Sequence, residues 1–260
     1  MGNEGQWFVE SVHAPGEYPD AGDVDVWLCS FGGRDEILRT NPDTLDGSER
    51  ARAAAFREAR AGSAFVERRV MVRVVASRYL SVRSGDVIWE TGPAGKPFLR
   101  TEAGRADLEF SWSQAGAAVV IAVARGVAVG VDACQESEGD SLDGLAEVFC
   151  SETEVSVLGR MPRPERVRAL VECWTAKEAC LKAVGTGLRC DPRRLRTWDG
   201  DEPLETVEWE EGAEDSPRRR MAVMHHSLAG GIALAIAAPV PLRLTIHGLT
   251  WNGGDEHGQR

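Results

Sequence analysis

Lys177, Glu178 and Lys182 place one acid and two bases on the segment from Trp174 to Lys182, whose other residues have the periodicity of a core helix. Val167, Leu170, Val171, Trp174, Leu181 and Val184 recur at three- and four-residue spacing, the pattern of a buried helix face. Glu178 interrupts that face one turn beyond Trp174 and one turn before Lys182, and Lys177 borders it as well. On spacing alone, Glu178 and Lys182 read either as an ordinary surface pair, worth about 0.2–0.5 kcal/mol, or as members of a site.

A second acid bears on that choice. Val119 to Ala124 and Val127 to Val131 are β-branched apolar runs separated only by Arg125 and Gly126, which predicts two strands joined in a tight hairpin. The second run ends at Asp132. A carboxylate fixed at a strand end can face a cleft. Asp132 and Glu178 together would offer hard oxygen ligands, of which Mg²⁺ uses one or two while keeping water and substrate phosphates in its other positions. Alone, Asp132 reads equally well as a turn residue.

Gly130-Val131-Asp132-Ala133-Cys134 is similar to the Gly-(Ile/Val)-Asp-x-Glu motif of the 4′-phosphopantetheinyl transferases of the surfactin-synthetase-activating type. The segment from Trp174 to Lys182 resembles that family's Trp-x-x-Lys-Glu-(Ala/Ser)-x-x-Lys motif and is the more specific match. Gly95-Lys96-Pro97 resembles its Gly-Lys-Pro element, Ser113-Gln114 stands where it carries a Ser-His pair, and Gly185-Thr186-Gly187-Leu188 follows the second lysine as its glycine-rich turn does. Order and spacing agree over residues 45 to 240.

The resemblance implies an α+β fold of two similar lobes related by a pseudo-twofold, each a long helix packed on an antiparallel sheet. Coenzyme A and Mg²⁺ would lie in the cleft between the lobes. The implied reaction moves 4′-phosphopantetheine from coenzyme A to a serine of an acyl or peptidyl carrier protein, serving polyketide or nonribosomal peptide biosynthesis. Asp132 and Glu178 would hold Mg²⁺, Glu178 would take the serine proton, and Lys182 would stabilise the departing 3′,5′-ADP. Lys96, Pro97, Ser113, Gln114, Lys177, Arg50 and Arg52 would bind coenzyme A.

Three positions depart from the family pattern. Cys134 replaces a second acid in the strand motif, and a protonated thiol is a poor ligand for magnesium. Gln114 replaces the histidine, so it can donate a hydrogen bond to a phosphate but carries no charge. Ala64 stands where the family has a phosphate-binding arginine past the aromatic at Phe56. These changes predict weakened nucleotide affinity. They also support an alternative: a diverged protein that has lost or redirected the reaction and uses the cleft for another small molecule or carrier-bound intermediate. A third reading is an interaction module docking a carrier protein through its arginine-rich helix.

Whole-chain properties bound these readings. The 260 residues, 43% of them hydrophobic, can bury one large core or two smaller ones. A net charge of −11 argues against general nucleic-acid binding. The apolar stretches Ala115 to Val123 and Ile232 to Val240 are too short to span a bilayer. Six cysteines show no Cys-x-x-Cys spacing, which points to free thiols in a reducing compartment, with Cys134 a candidate reactive thiol. His225-His226 reads as a strand pair. No leader pattern opens the chain, and a cytoplasmic monomer is expected. The predicted organisation is a flexible tail over 1–22, lobes over 23–126 and 127–251, and a second tail over 252–260.

Overall fold

The computed structural model describes residues 6–10, 16–31, 43–186, 189–200, 202–210 and 218–252. Gly187 and Leu188 of the predicted glycine-rich turn, and 253–260 of the second tail, lie outside them. The first half carries strands β1 (Gln6–Glu10) and β2 (Asp23–Phe31), helices α1 (Gly47–Ala54) and α2 (Ala59–Leu80), and strands β3 (Ile88–Thr91), β4 (Pro97–Thr101), β5 (Gly104–Arg105), β6 (Leu108–Ala115) and β7 (Ala118–Arg125). Strand β8 (Gly130–Gln135) leads to helices α3 (Gly139–Asp143), α4 (Ala146–Phe149), α5 (Glu152–Leu158) and α6 (Arg163–Val184). Strands β9 (Trp198–Asp199), β10 (Glu202–Pro203), β11 (Thr206–Glu210), β12 (Arg218–Leu228), β13 (Ile232–Ala238) and β14 (Arg243–Asn252) follow.

Strands that are apolar on both faces must be covered on both faces. In β7, Val119, Ile121 and Val123 join a core with Trp27, Phe65, Val70 and Met71, whereas Val120, Ala122 and Ala124 join another with Val131, Leu234 and Ile236. The period-two alternation thus stacks four layers: α2, a sheet ordered β1-β14-β2-β7-β6, a sheet ordered β11-β12-β13-β8, and α6. On its outer face the second sheet presents Val223, Ala235 and Ala237 to Ala176, Ala179, Cys180 and Ala183 of α6. Each fully buried valine or leucine contributes ~1.5–3 kcal/mol to this arrangement. The chain is a mixed α+β protein in which each long helix covers one sheet.

Three expectations change. The runs around Arg125-Gly126 form no hairpin: β7 pairs with β2 and β6, while β8 pairs with β13 in the other sheet. Both runs bury two faces, and the chain between them crosses from one sheet to the next. The hairpin is instead β6–β7, closed with Ala115 opposite Ala118. Within the predicted N-terminal tail, Gln6–Glu10 is a strand paired along β14, because an otherwise open edge of β14 offers backbone partners. The last strand, β14, falls in the 127–251 span yet runs in the first sheet, antiparallel to β1 and parallel to β2.

Candidate active site

Edge strands of the two sheets meet at β6 and β8, and α6 crosses β8 at van der Waals distance. Gly130 makes that crossing possible: a Cβ there would lie 1.9 Å from the Ala179 carbonyl oxygen and 2.5 Å from the Ala183 nitrogen. Small residues at 130, 179 and 183 therefore bring the two backbones together. Because Val131 and Ala133 fill the space between the sheets, the alternate residues Asp132 and Cys134 turn toward α6. A slip of one residue would reverse them.

Asp132 is buried. Its Oδ1 accepts from Lys182 Nζ at 2.6 Å and from Ser113 Oγ at 2.8 Å. Lys182 Nζ also donates to the carbonyl oxygens of Val131 at 3.2 Å and Trp112 at 3.4 Å. The Val131 N–H donates to Ser111 Oγ at 3.0 Å, so β6 supplies partners for the edge of β8. Glu178, one turn before Lys182, is half-buried; burial first, and then the Asp132 carboxylate, push its carboxyl above the usual range, against the pull of Lys182. Among the described residues no hydrogen bond reaches Asp132 Oδ2 or the Glu178 carboxylate. Asp132, Glu178, Lys182 and Ser113, four of the residues singled out from sequence, are thus one cluster.

Lys177 is not part of it. Fully buried on another face of α6, its Nζ donates to Glu154 Oε2 at 2.8 Å, to the Pro192 carbonyl oxygen at 3.1 Å and to that of Leu195. A helix turns about 100° per residue, so adjacent residues 177 and 178 face different neighbours. The expected phosphate contact of Lys177 is replaced by a buried ion pair that pins α5 and the 192–197 segment to α6. Glu154 Oε1 also accepts from the Thr197 N–H at 2.7 Å.

Lys96 sits at the C-terminal end of α6, where Nζ donates to the carbonyl oxygens of Ala183 at 3.1 Å and Val129 at 3.2 Å and pairs with Glu109 at 3.2 Å. Burial lowers its pKa, partly offset by Glu109. Gly185 adopts a left-handed φ of 80° and packs on the Lys96 side chain, ending the helix. Lys96 and Pro97 line a cavity of about 290 Å³ with Trp112 and Lys182. Gly95, Pro97 and Trp112 also border a second cavity of about 370 Å³, into which Arg52, Arg68 and Arg69 open. Gln114, opposite in direction to Ser113 on β6, accepts from Arg68 Nη1 at 3.4 Å through Oε1. Arg50 donates instead to the Leu45 carbonyl oxygen and does not border either cavity.

Cys134 follows Asp132 on the same face, but burial, then Glu138 and Asp132, push its thiol up to about 12. It is therefore protonated near neutral pH, which removes it both as a ligand and as the reactive thiol considered from sequence. A larger cavity of about 550 Å³, lined by His225, His226, Trp198 and Arg168, lies along the first half of α6 and contains none of the motif residues.

Residues 128–237 match the family model of the 4′-phosphopantetheinyl transferase superfamily. That span contains Asp132, Glu178 and Lys182. The chain is also 28% identical to 4′-phosphopantetheinyl transferase HetI of Nostoc sp. over 64% of this chain and 70% of that protein. It is 26% identical to a putative 4′-phosphopantetheinyl transferase of Synechocystis sp. over 63% of this chain and 65% of that protein. With 4′-phosphopantetheinyl transferase gsp of Aneurinibacillus migulanus the identity is 29% over 46% of this chain and 47% of that protein. The chain thus spans less than two thirds of the length of the latter two relatives.

The site residues are compatible with a hard divalent cation. The Asp132 carboxylate lies close enough to raise the cost of ionising Glu178, and each of the two acids keeps oxygens without a hydrogen-bond donor among the described residues. A cation between them would relieve that repulsion. Arg68 and Arg69, with the Trp89 and Trp112 rings on which Arg69 stacks at 5.7 and 5.4 Å, had no place in the sequence-based site. Their signal is two arginines inside the apolar run Phe65 to Val72, charge within a helix that is buried nearly all round.

Proposed function

We propose that the protein transfers 4′-phosphopantetheine from coenzyme A to a carrier-protein serine. The observation that carries this reading is the convergence of Asp132 on β8 with Glu178 and Lys182 on α6, where Lys182 borders the cavity beside Trp112. A family-model match over residues 128–237, which hold those three side chains, and similarity to a named transferase support it. Asp132 and Glu178 would hold Mg²⁺, which when bound supplies positive charge beside the pyrophosphate. Glu178, with a carboxyl poised above its usual range, takes the proton of the attacking serine. Lys182 stabilises the 3′,5′-ADP that leaves, and Ser113 holds Asp132 in orientation. The hydroxyl oxygen forms a bond to the β-phosphorus as the bond to the bridging oxygen breaks, so no covalent enzyme intermediate is required.

In the same reading, α2 with the first sheet and α6 with the second are the two pseudo-twofold lobes of the surfactin-synthetase-activating type, divided near residue 126. The carriers are those of polyketide or nonribosomal peptide assembly, and the protein works as a cytoplasmic monomer. Incubation with coenzyme A, Mg²⁺ and a panel of apo carrier proteins tests the proposal by mass spectrometry. At least one carrier should gain one phosphopantetheine, and Glu178→Ala should abolish the gain. If every carrier stays apo while a reference transferase modifies them, the proposal fails.

Cys134 favours a second reading, since its protonated thiol leaves the site two carboxylates only. On this reading the protein binds another small molecule in the cleft, and calorimetry would find coenzyme A binding weak and indifferent to Mg²⁺.

A further inference from the structure

Where α4, α5 and α6 meet, away from Asp132 and Glu178, three side chains able to ligate a metal are packed together. Cys150 ends α4, Glu154 lies in the first turn of α5, and Cys173 lies on α6. All three are buried, and one ligand atom from each lies within 4.8 Å of the other two. Cys150 Sγ is 3.7 Å from Cys173 Sγ, which is 3.5 Å from Glu154 Oε1. Thr197 Oγ1 completes the group, 3.2 Å from Cys173 Sγ and 3.1 Å from Glu154 Oε1.

These spacings suit thiol hydrogen bonds, and they also suit the edges of a zinc tetrahedron. With Zn–S of about 2.3 Å and Zn–O of about 2.0–2.2 Å, tetrahedral angles put two sulfurs ~3.8 Å apart and a sulfur and an oxygen ~3.5 Å apart. Charge and access add to the fit. Lys177 holds Glu154 through Oε2 at 2.8 Å, which leaves Oε1 turned to the sulfur of Cys173. Unlike Mg²⁺, Zn²⁺ deprotonates the thiols that bind it. Two thiolates would then balance the ion while Lys177 balances Glu154, so the interior gains no net charge. Cys150 also lines a cavity of about 710 Å³, bordered by Ser151, Asp191 and Arg194, which gives an ion a way in.

The geometry points to a separate metal site in which Cys150, Cys173 and Glu154 Oε1 bind one Zn²⁺, with Thr197 Oγ1 at the fourth corner. The ion ties α5 and the segment holding Thr197 to α6, the helix that carries Glu178 and Lys182. The site goes beyond the transferase reading and stands whether or not phosphopantetheine is transferred.

Co²⁺ added to the reduced, intact protein, with excess Mg²⁺ to occupy Asp132 and Glu178, tests this by absorption spectroscopy. One equivalent should bring up a sulfur-to-cobalt transition in the ultraviolet and the strong visible bands of tetrahedral Co²⁺, and Zn²⁺ should bleach both. Cys150→Ser and Cys173→Ser should each weaken binding about tenfold or more, since even the partners of metal ligands are worth about 10–100-fold in affinity. Cys134→Ser and Cys180→Ser should bind as the wild type does. Zn²⁺ should also raise the unfolding temperature of the wild type and leave that of Cys150→Ser unchanged. Cys150 borders a cavity, so its serine variant keeps the core intact and gives the decisive comparison. A wild type without cobalt bands overturns the proposal, and so does wild-type affinity in either Cys150→Ser or Cys173→Ser.

Discussion

Two lysines on α6, only five positions apart in sequence, show how one helix separates structure from chemistry. Lys177 is enclosed, with one carboxylate and two carbonyl oxygens taking all three of its protons. Lys182 is 30% exposed, borders a cavity, and holds an acid whose second oxygen has no donor among the described residues. Glu154 answers Lys177 with a lowered pKa: burial pushes it up, but Lys177, then backbone N–H groups of Thr197 and Ser151, outweigh burial. Glu178 beside Lys182 moves the opposite way. A satisfied buried pair fixes where α6 lies, whereas the half-satisfied cluster is left able to take a ligand.

The sharpest way to break this contrast is to remove each lysine. Lys177→Met should destabilise the protein by about 3–5 kcal/mol in urea unfolding, because it strands a buried carboxylate. The double variant Lys177→Met with Glu154→Gln should recover part of the loss. Gly130→Ala should cost about 3 kcal/mol or more and lower turnover as well, since the added carbon meets the Ala179 carbonyl and drives Asp132 from α6. Lys182→Met should leave unfolding within about 1 kcal/mol of the wild type while transfer falls on the order of 10²-fold. Equal stability losses for the two lysines would erase the distinction.

The smallest effect is one of pH. With its folded pKa below the unfolded value, Glu154 contributes stability that is present above the ordinary glutamate range, near ~4.3, and is lost as pH falls through the depressed value. The difference in unfolding free energy between wild type and Glu154→Gln should therefore shrink on acidification. A difference that grows toward low pH would contradict the assigned pairing.

Helical periodicity put Glu178 and Lys182 on one border of the helix, and the end of an apolar run fixed Asp132 on a strand. The structure brings the three together, but sequence spacing alone left a surface pair and a turn residue as open readings. It was insufficient for Lys177, which borders the same apolar stripe and whose burial depends on Glu154 arriving from α5. The hairpin read at Arg125-Gly126 failed for a related reason: two apolar runs across a glycine turn look alike whether they pair or enter stacked sheets. Pairing of β1 with β14, residues more than two hundred positions apart, leaves no local pattern. Arg69 was visible as charge in an apolar run, but its pairing with Glu49 from another helix follows only from the fold.

The central claim is that Asp132 and Glu178 act on one divalent cation. Titrating Mn²⁺ into the protein with coenzyme A present, followed by electron paramagnetic resonance, measures this directly. Stoichiometric binding is expected, lost in both Asp132→Asn and Glu178→Gln, with Lys177→Arg unaffected. Binding that persists at wild-type strength in either carboxylate variant would contradict it.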